Sequence, residues 1–290
     1  MINFPRHACR YAERLAAECE QFRLQLEPDV REFDEDDDYS ADPFGETDEA
    51  SGVHGLKQRF EDRVLVMTSD SCFMNCRHCT RKGILESADV VRSDEELQDC
   101  LDYVKSRPLV RDVLLSGGDP LVLPDDEVLR FVEAFASLEQ VDVVRLCTRA
   151  PCVNPERITE DLAKRLRGCG KVWVNTQFNC AGEMTPEAAA ACARLVDAGS
   201  PVSCQAVLLA GVNDSADAML DLFRALQRAR VRPYYVFQCD PVSGISHFRV
   251  PLERAKEIAA ECADRIGGLA LPRFVADIPG SRRKTPIEEL

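Results

Sequence analysis

The sequence predicts an α/β protein whose core is a parallel sheet. Six short apolar runs, rich in valine, leucine and aromatic residues, alternate with six amphipathic stretches along the chain. Strands of a parallel sheet are buried on both faces and are each followed by a helix, and they therefore produce this alternation. The predicted strands are Val64–Ser69, Asp112–Ser116, Asp142–Thr148, Val172–Gln177, Val202–Leu209 and Pro233–Gln238. The predicted helices are Asp94–Lys105, Asp125–Ala136, Thr159–Arg167, Pro186–Ala198, Asp214–Ala229 and Pro251–Ile266.

Before the first strand, the sequence predicts a helix near Pro5–Leu24 and then an acidic segment, Glu32–Glu49. Much of the net charge of −14 lies in this segment. A run of like charges is typical of a solvated, mobile stretch, and we interpret it as a linker or strap. The expected organisation is an N-terminal helical and acidic extension at 1–55, an α/β body at 56–270 and a C-terminal segment at 271–290.

The composition narrows the range of partners and locations. An acidic chain is a poor match for a nucleic-acid backbone, so we expect no nucleic-acid partner. No apolar run approaches the ~18 residues of a membrane span, and the charged N-terminal stretch lacks the apolar core of a signal peptide. We therefore expect a cytoplasmic protein without a membrane partner. There the fourteen scattered cysteines would be reduced and form no disulfide framework.

Three of the cysteines form a compact motif directly after the first predicted strand. Cys72, Cys76 and Cys79 have CxxxCxxC spacing. Three thiolates are one ligand fewer than a four-iron cluster usually receives, which would leave one iron open to bind and reduce another molecule. A zinc site usually has two separated ligand pairs, and Cys76 with Cys79 alone would suit a dithiol redox pair. The spacing favours the open cluster, with both alternatives remaining.

The motif resembles the cluster site of the radical S-adenosylmethionine (SAM) superfamily. The longer string CFMNCRHCTRK, Cys72–Lys82, resembles the lysine 2,3-aminomutase family in particular. Further strings resemble this family in the same order from about Asp42 to Pro286. They are DPFGETDEASGVHGLKQRFEDRVLV, DVLLSGGDPL, VRLCTRAPCVNPERIT, VWVNTQFN, QAVLLAGVND, RPYYVFQCD and DIPGSRRKTP.

This resemblance implies a fold and a set of cofactors. The fold would be a partial, six-unit β/α barrel with its active site at the carboxyl ends of the strands. The cysteine motif, the GGDP turn and Cys239-Asp240 all follow predicted strands, as that placement requires. The implied cofactors are a 4Fe-4S cluster, SAM and pyridoxal 5′-phosphate (PLP).

Several residues match the family's SAM contacts. Ser116-Gly117-Gly118-Asp119 resembles the site for the amino group of SAM, and its glycines permit a close approach to the backbone. Without the resemblance, this sequence would indicate an ordinary strand-to-helix turn. Gln205 resembles a residue that helps to hold the nucleoside, although a strand amide of this kind can be purely structural. His78 matches the position that lies against the adenine.

Three basic residues match the family's PLP contacts. Lys284 resembles the lysine that bonds to PLP, and Arg59 and Arg63 match arginines near its phosphate, to which guanidinium is geometrically suited. Solvated surface charge is the alternative interpretation of all three. Arg282 and Arg283 stand where the family often has glycine. A neighbouring cation lowers the pKa of a lysine and favours the reactive neutral amine. These two arginines could act in this way, or they could instead reshape the loop or contact an anion.

Three more residues indicate the substrate. Arg81 matches the arginine that pairs with the substrate α-carboxylate, and Asp240 and Asp277 match two carboxylates that bind the distal ammonium of lysine. A buried cation facing two carboxylates is a suitable match of charge. A helix cap at Asp240 and a turn at Asp277 are the structural alternatives.

The resemblance thus implies a 2,3-aminomutase, an isomerase that moves the α-amino group of L-lysine to the β-carbon and gives β-lysine. An electron donor such as flavodoxin or ferredoxin and a homo-oligomer are implied as partners. Three alternatives remain open: a mutase for arginine or another basic amino acid, a β-lysine supplier for the modification of elongation factor P, and a non-mutase iron–sulfur protein.

The chain also departs from the family pattern. Gln177 and Cys180 stand where histidines are common, and Phe60 replaces a common tyrosine. Ser215 occupies the position of a cysteine that helps to bind zinc in the family, and we therefore predict no zinc.

Overall fold

The computed structural model describes residues 9–34, 38–47, 51–83 and 92–290. Its centre is a nine-stranded sheet in which each strand pairs with the next strand along the chain. The strands are β1 (Leu56–Phe60), β2 (Arg63–Ser69), β3 (Asp112–Gly117), β4 (Val143–Cys147), β5 (Val172–Gln177), β6 (Val202–Leu208), β7 (Arg232–Gln238), β8 (Arg273–Ala276) and β9 (Thr285–Pro286).

Strands β2 to β8 run parallel, whereas β1 and β9 pair antiparallel to them at the two edges. The predicted α/β partial barrel is confirmed, and the six predicted strands are β2 to β7, each placed within one residue at either end. The three short strands β1, β8 and β9 were not predicted. Among the described strands, β1 and β9 are not paired with each other, so the sheet is not closed.

Nine α-helices accompany the sheet in the described part of the chain. They are α1 (Arg10–Glu18), α2 (Glu20–Leu26), α3 (Asp94–Lys105), α4 (Asp125–Ala136), α5 (Ala150–Val153), α6 (Glu160–Gly168), α7 (Pro186–Ala198), α8 (Ala216–Arg228) and α9 (Leu252–Arg265). Helices α3, α4 and α7 have the predicted bounds. None of the described helices combines the length and the apolar character that crossing a membrane requires.

The prediction of a single N-terminal helix is wrong. The structure has two helices, α1 and α2, because the backbone of Cys19 is extended between them, with φ −130° and ψ 106°. The predicted start at Pro5 lies outside the described residues. Leu15 of α1 and Phe22 of α2 are both buried in the main core, so the two helices are packed against the body of the protein.

Hydroxyl side chains cap the N-termini of four described α-helices, α3, α6, α7 and α8. The helix predicted from Pro186 begins there, because Thr185 Oγ1 accepts a hydrogen bond from the N–H of Ala188 (3.2 Å). The helix predicted from Asp214 begins two residues later, because Ser215 caps α8 and its Oγ accepts from the N–H of Ala218 (3.2 Å). The side chain of Asn213 does not cap the helix. It accepts from the N–H of Leu209 and donates to the carbonyl of Val207, and it thereby binds the end of β6.

Alternation along the strands separates the core from the interior of the curved sheet. On β4, Val144 and Leu146 belong to the hydrophobic core, whereas Arg145 and Cys147 line a cavity. Because successive side chains of a strand point to opposite faces, each strand contributes to both regions. The helices cover the core side, and polar residues of the strands are left to form a site.

The sequence predicts that the acidic segment is solvated and mobile. The structure shows instead that part of it is buried. The side chain of Glu32 is only 4% exposed and accepts hydrogen bonds from Arg77 Nε and Lys82 Nζ, both at 2.7 Å. Glu46 forms a similar ion pair with Arg81. Residues 35–37 and 48–50 of this region lie outside the described residues. The described acids therefore fasten the segment to the loop that carries the cysteine motif.

Glu32 generates a prediction about stability. Burial raises the pKa of this carboxyl, but hydrogen bonds from Arg77 and Lys82 outweigh burial and lower the pKa to about 2. Because the unfolded pKa is ~4.3, the ion pairs stabilise the fold fully above that pH, and the contribution is lost as the pH falls towards about 2. We expect Glu32→Gln to cost roughly 3 kcal/mol at neutral pH, since two buried cations lose their partner.

Urea unfolding measures this cost. The matched control is Glu253→Gln, which removes an exposed partner of Lys256 and should change stability by less than about 0.5 kcal/mol. Equal losses in the two variants would show that the buried pairs do not hold the acidic segment in place.

Candidate active site

One cavity of about 350 Å³ brings together all fifteen site residues that the sequence predicts. They come from segments between β1 and the residues just before β9, and most of them follow the carboxyl end of a strand. The residues are Arg59, Arg63, Cys72, Cys76, His78, Cys79, Arg81, Ser116, Gly117, Gly118, Asp119, Gln205, Asp240, Asp277 and Lys284. Their assigned roles remain predictions, and the geometry below states what each side chain contacts.

The three cysteines of the motif form a thiol cluster on the loop after β2. Burial raises the pKa of Cys72 well above its usual value, and the neighbouring thiols and Asp119 add to this effect. Burial and Cys76 likewise raise the pKa of Cys79 to about 11. The three thiols line one cavity, and bound iron would compensate the charge of their thiolates. The donor set therefore fits an iron–sulfur cluster that is bound at three corners.

Sequence reasoning missed Arg149, which follows β4. Its Nη1 donates to Cys76 Sγ (3.0 Å), and its Nη2 donates to Gln25 Oε1 (2.7 Å) and Glu183 Oε1 (3.2 Å). Gln25 in turn donates to Glu183, whose side chain is fully buried. Arg149 thus places a buried positive charge against a cluster thiol. Its position at the carboxyl end of a predicted strand was the one available signal.

The glycine turn after β3 touches the cysteine loop through the backbone. Gly117 has φ +111°, and a Cβ added at Gly118 would lie 2.1 Å from the carbonyl oxygen of Ser71. A larger residue at Gly118 would therefore displace the loop. Asp119 joins this turn to the end of β4, because its carboxylate accepts from Thr148 Oγ1 (2.7 Å) and from the N–H of Arg149 (2.8 Å).

His78 has one buried nitrogen without a partner among the described residues. Its Nε2 accepts from the side-chain amides of Gln177 (3.0 Å) and Asn179 (3.3 Å), which assigns the proton to Nδ1. Nδ1 is buried and makes no hydrogen bond with the described chain. Burial lowers the pKa of His78, so the ring is neutral. A buried donor in this position suits a ligand acceptor, and the nucleoside of SAM would supply one.

Gln177 and Gln205 both take part in polar networks inside the curved sheet. Gln177 replaces a common family histidine, and its contact with His78 shows how the strand accommodates this change. Gln205 Oε1 accepts from the hydroxyl of Tyr234 (3.0 Å), which also accepts from Asn175 Nδ2 (3.1 Å). Gln205 is therefore a hydrogen-bonded strand amide, as the structural alternative predicts, and it also lines the cavity.

A second charge cluster surrounds Lys284. Its Nζ donates to Asp277, which also accepts from Arg59 Nη1 (2.9 Å) and Nη2 (2.8 Å). The ammonium lies 5.5 Å and 5.2 Å from the ring centroids of Phe60 and Phe237. Burial lowers the pKa of Lys284, an effect that Asp277 opposes and Arg59 reinforces.

Of the roles open to Arg282 and Arg283, the structure favours contact with an anion over an effect on the pKa of Lys284. Both side chains are exposed, and Arg283 forms an ion pair with Glu289. The cation that acts on Lys284 is Arg59, which comes from the far end of the chain. Adjacent positions in the sequence did not indicate which charges are adjacent in space.

Asp240 is the second acid of this cluster. Burial raises its pKa, and the nearby Asp277 adds to the effect, whereas Lys284 and Arg59 oppose it. The result is a pKa of about 7. The carboxyl group therefore changes charge near neutral pH, which makes it sensitive to the arrival of a further cation.

Arg81 and Arg63 are already paired. Arg81 donates to Glu46 through Nε (2.6 Å) and Nη2 (2.9 Å), so the predicted partner of a substrate carboxylate faces a carboxylate of its own chain. Nη1 is the nitrogen that Glu46 does not engage. Arg63 donates to Asp62 (2.9 Å) and lies over the ring of Phe60, 4.6 Å from its centroid.

Comparisons with known proteins agree with this geometry. The profile of the Radical SAM superfamily matches residues 66–223. An L-lysine 2,3-aminomutase from Fusobacterium nucleatum is 42% identical over 265 residues, which cover 91% of this chain and 62% of that protein. A glutamate 2,3-aminomutase from Clostridioides difficile is 35% identical over 270 residues, 93% of this chain and 63% of that protein. The chain thus spans about three fifths of the length of these relatives.

The likeness extends to solved structures. A radical SAM methyltransferase from Sphaerobacter thermophilus matches with a TM-score of 0.57 at 18% identity, over 76% of this chain and 68% of that one. This likeness concerns the fold alone.

The chain belongs to the radical SAM superfamily. Within it, the chain belongs to the family of the lysine 2,3-aminomutases, because several relatives with that name share about 42% identity over most of its length. Membership of the superfamily implies a 4Fe-4S cluster and SAM as cofactors, and the thiol cluster and the unpartnered nitrogen of His78 fit them.

The contact between Arg149 and Cys76 predicts an effect on the cluster. A cationic donor to a ligand sulfur favours the reduced cluster, and its removal should make the reduction potential more negative. For Arg149→Gln we expect a decrease of roughly 60 mV, equivalent to a tenfold change in a one-electron equilibrium. The reduction potential of Arg149→Lys, which keeps the positive charge, should lie between that of Arg149→Gln and that of the wild type.

A redox titration of the reconstituted cluster, followed by electron paramagnetic resonance, measures the potential. Arg194→Gln is the control, because this arginine donates to the carbonyls of Ile158 and Pro155 and makes no hydrogen bond to a cysteine of the motif in the described part of the chain. A potential in Arg149→Gln equal to that of the control would contradict an electrostatic role for Arg149.

Proposed function

We propose that this chain is a radical SAM, PLP-dependent 2,3-aminomutase that converts L-lysine to β-lysine. The observation that carries the proposal is the position of Lys284. Its ammonium lies against Asp277, in the same cavity as the cysteine cluster and Asp240. The alkylammonium group of a bound lysine is chemically the same as that of Lys284, so this acidic site already holds the group that it is proposed to select.

The proposed division of labour follows from the groups that line the cavity. When bound, SAM on the reduced cluster supplies a hydrogen-abstracting radical, and PLP supplies a carbonyl that can take up an amine. Lys284 would hold PLP, since burial lowers the pKa of its amine towards the neutral, nucleophilic form. Arg63 would hold the phosphate, and Arg81 would orient the substrate carboxylate through Nη1. Fixing the reacting groups in one enclosed place is the protein's main contribution to the rate.

Charge is the basis of the proposed substrate preference. Two acids, Asp240 and Asp277, face two cations, Arg59 and Lys284, in this part of the cavity. If Lys284 forms a bond to PLP, its ammonium charge is lost. The distal ammonium of the substrate would then restore the balance between the two acids and two cations. Glutamate is the substrate in the name of one relative. Its acidic side chain would here face Asp240 and Asp277, which carry the same sign of charge.

The proposal includes a source of electrons, because the cluster must be reduced before it can act. A flavodoxin or a ferredoxin would meet this need. A cytoplasmic location and a homo-oligomer remain predictions from the sequence.

The bond to PLP is tested with Lys284→Ala. Without the amine, the variant should lose the visible absorption band of bound PLP and give no stable adduct after borohydride reduction. Lys57→Ala is the control, because Lys57 lines the same cavity and should be dispensable for this bond. Iron analysis of both variants shows whether the cluster is still formed. An unchanged adduct in Lys284→Ala would refute the assignment.

The pH dependence of binding tests Asp240. The cofactor-loaded protein, without reductant, is titrated with L-lysine and with norleucine. Norleucine has the same carbon chain as lysine but no distal ammonium. Below its pKa of about 7, Asp240 is neutral and attracts the ammonium less. The ratio of lysine to norleucine affinity should therefore rise about tenfold as the pH rises through the pKa of Asp240, which lies above about 7 once Lys284 has lost its charge to PLP.

The ratio isolates the distal ammonium, because both ligands share the same α-amino and carboxylate groups. Asp240→Asn should remove most of the pH dependence. Parallel curves for lysine and norleucine in the wild type would contradict the ammonium site. Analysis of the products under reducing, oxygen-free conditions decides the substrate, and turnover of arginine without turnover of lysine would reassign it.

A further inference from the structure

We propose that Cys19 and Cys180 form a redox-sensitive thiol pair that closes to a disulfide in the presence of a low-molecular-weight disulfide such as glutathione disulfide. This inference is independent of the aminomutase activity. It assigns a function to Cys180, one of the departures from the family pattern, and to the break between α1 and α2.

The two sulfurs already touch. Sγ of Cys19 lies 3.8 Å from Sγ of Cys180, although 161 residues separate them in the sequence. Both are free thiols in the structure. Gly182 provides the space, because a Cβ at this position would lie 2.7 Å from Cys19 Sγ. Only a short movement of the two side chains separates this contact from a bond, which needs sulfurs about 2.05 Å apart.

The two thiols differ in the way that exchange chemistry requires. Cys19 is half-buried and within reach of solvent, whereas Cys180 is 6% exposed. The hydrogen bond from Cys180 lowers the pKa of Cys19 to about 7, although burial opposes this shift. The same partnership and burial raise the pKa of Cys180, which therefore stays protonated. Cys19 is thus the attacking thiolate and Cys180 the thiol that resolves the mixed disulfide.

The exchange proceeds in two balanced steps. In the first, the Cys19 thiolate attacks one sulfur of glutathione disulfide, a bond forms between them, and one glutathione thiolate leaves. In the second, Cys180 attacks Cys19 Sγ, the bond to glutathione breaks, and the proton of Cys180 leaves with the second glutathione. The protein loses two electrons, and one glutathione disulfide is reduced to two glutathione molecules.

The place of the pair connects it with the active site. Cys19 immediately precedes α2, which carries Gln25, and Cys180 lies in the same short loop as Glu183. Gln25 and Glu183 are the two residues that hold Arg149 against Cys76. A disulfide would therefore join the two segments that position Arg149.

The test uses the cluster-loaded chain under anaerobic conditions. The protein is equilibrated in buffers of increasing glutathione disulfide to glutathione ratio, quenched with acid, alkylated, digested and analysed by mass spectrometry. We expect a cross-linked peptide that joins Cys19 to Cys180, and its loss after treatment with dithiothreitol. Cys180→Ser should instead accumulate glutathione on Cys19. The absence of the cross-link at every ratio would overturn the proposal.

A second measurement does not depend on any variant. In the wild type at about pH 7, iodoacetamide should modify Cys19 at least about tenfold faster than Cys169, because about half of Cys19 is then thiolate. Cys169 is the matched control, since it is also half-buried but burial raises its pKa, and its thiol donates only to the carbonyl of Arg165 among the described residues. Equal rates for the two cysteines would contradict the assignment of Cys19 as the attacking thiol.

Discussion

The carboxylate of Asp277 binds two cations that come from opposite edges of the sheet. Arg59 lies on β1 and Lys284 directly precedes β9, and these two strands do not pair among the described residues. A charge cluster therefore spans the opening that backbone hydrogen bonds leave in the partial barrel. The side chain of Asp277 is only 8% exposed, and loss of either cation would leave a buried carboxylate poorly compensated. The same contact that joins the two edges thus holds the lysine on which the proposed chemistry depends.

This arrangement makes cofactor and substrate binding a question of charge balance. As long as Lys284 is an ammonium ion, it occupies the partner that a substrate ammonium would need. In the proposed function, Lys284 would no longer compete once it is bonded to PLP, so the acidic site would become available when the cofactor is in place. The raised pKa of Asp240 has a related cause, because a second buried carboxylate beside Asp277 is costly even with Lys284 and Arg59 nearby. Selectivity for a basic substrate would then follow from the protein's own electrostatics, without a separate recognition element.

The features that the sequence predicted are those encoded locally. Strands β2 to β7 are short apolar runs, and the cysteine motif lies within eight consecutive residues, so both can be recognised without knowing the fold. The features that it missed depend on distant pairing. Strand β8 has four residues and is stabilised by its neighbours, and the contact of Arg149 with Cys76 joins residues 73 positions apart. The sequence could not decide the role of Arg282 and Arg283 for the same reason, since Arg59 comes close to Lys284 only through the curvature of the sheet.

The N-terminal extension is better understood as a part of the site than as an accessory. The cysteine loop contains three cations, Arg77, Arg81 and Lys82, whose side chains are at most 15% exposed. Buried cations require acids, and the extension supplies them through Glu32 and Glu46, while the carbonyl of Gln25 accepts from the N–H of Arg77 (2.8 Å). Part of the acidic excess of the chain is therefore local counter-charge for the cluster loop. Any change that shifts this extension, including a covalent link at Cys19, would therefore act on the loop that carries the cysteine motif.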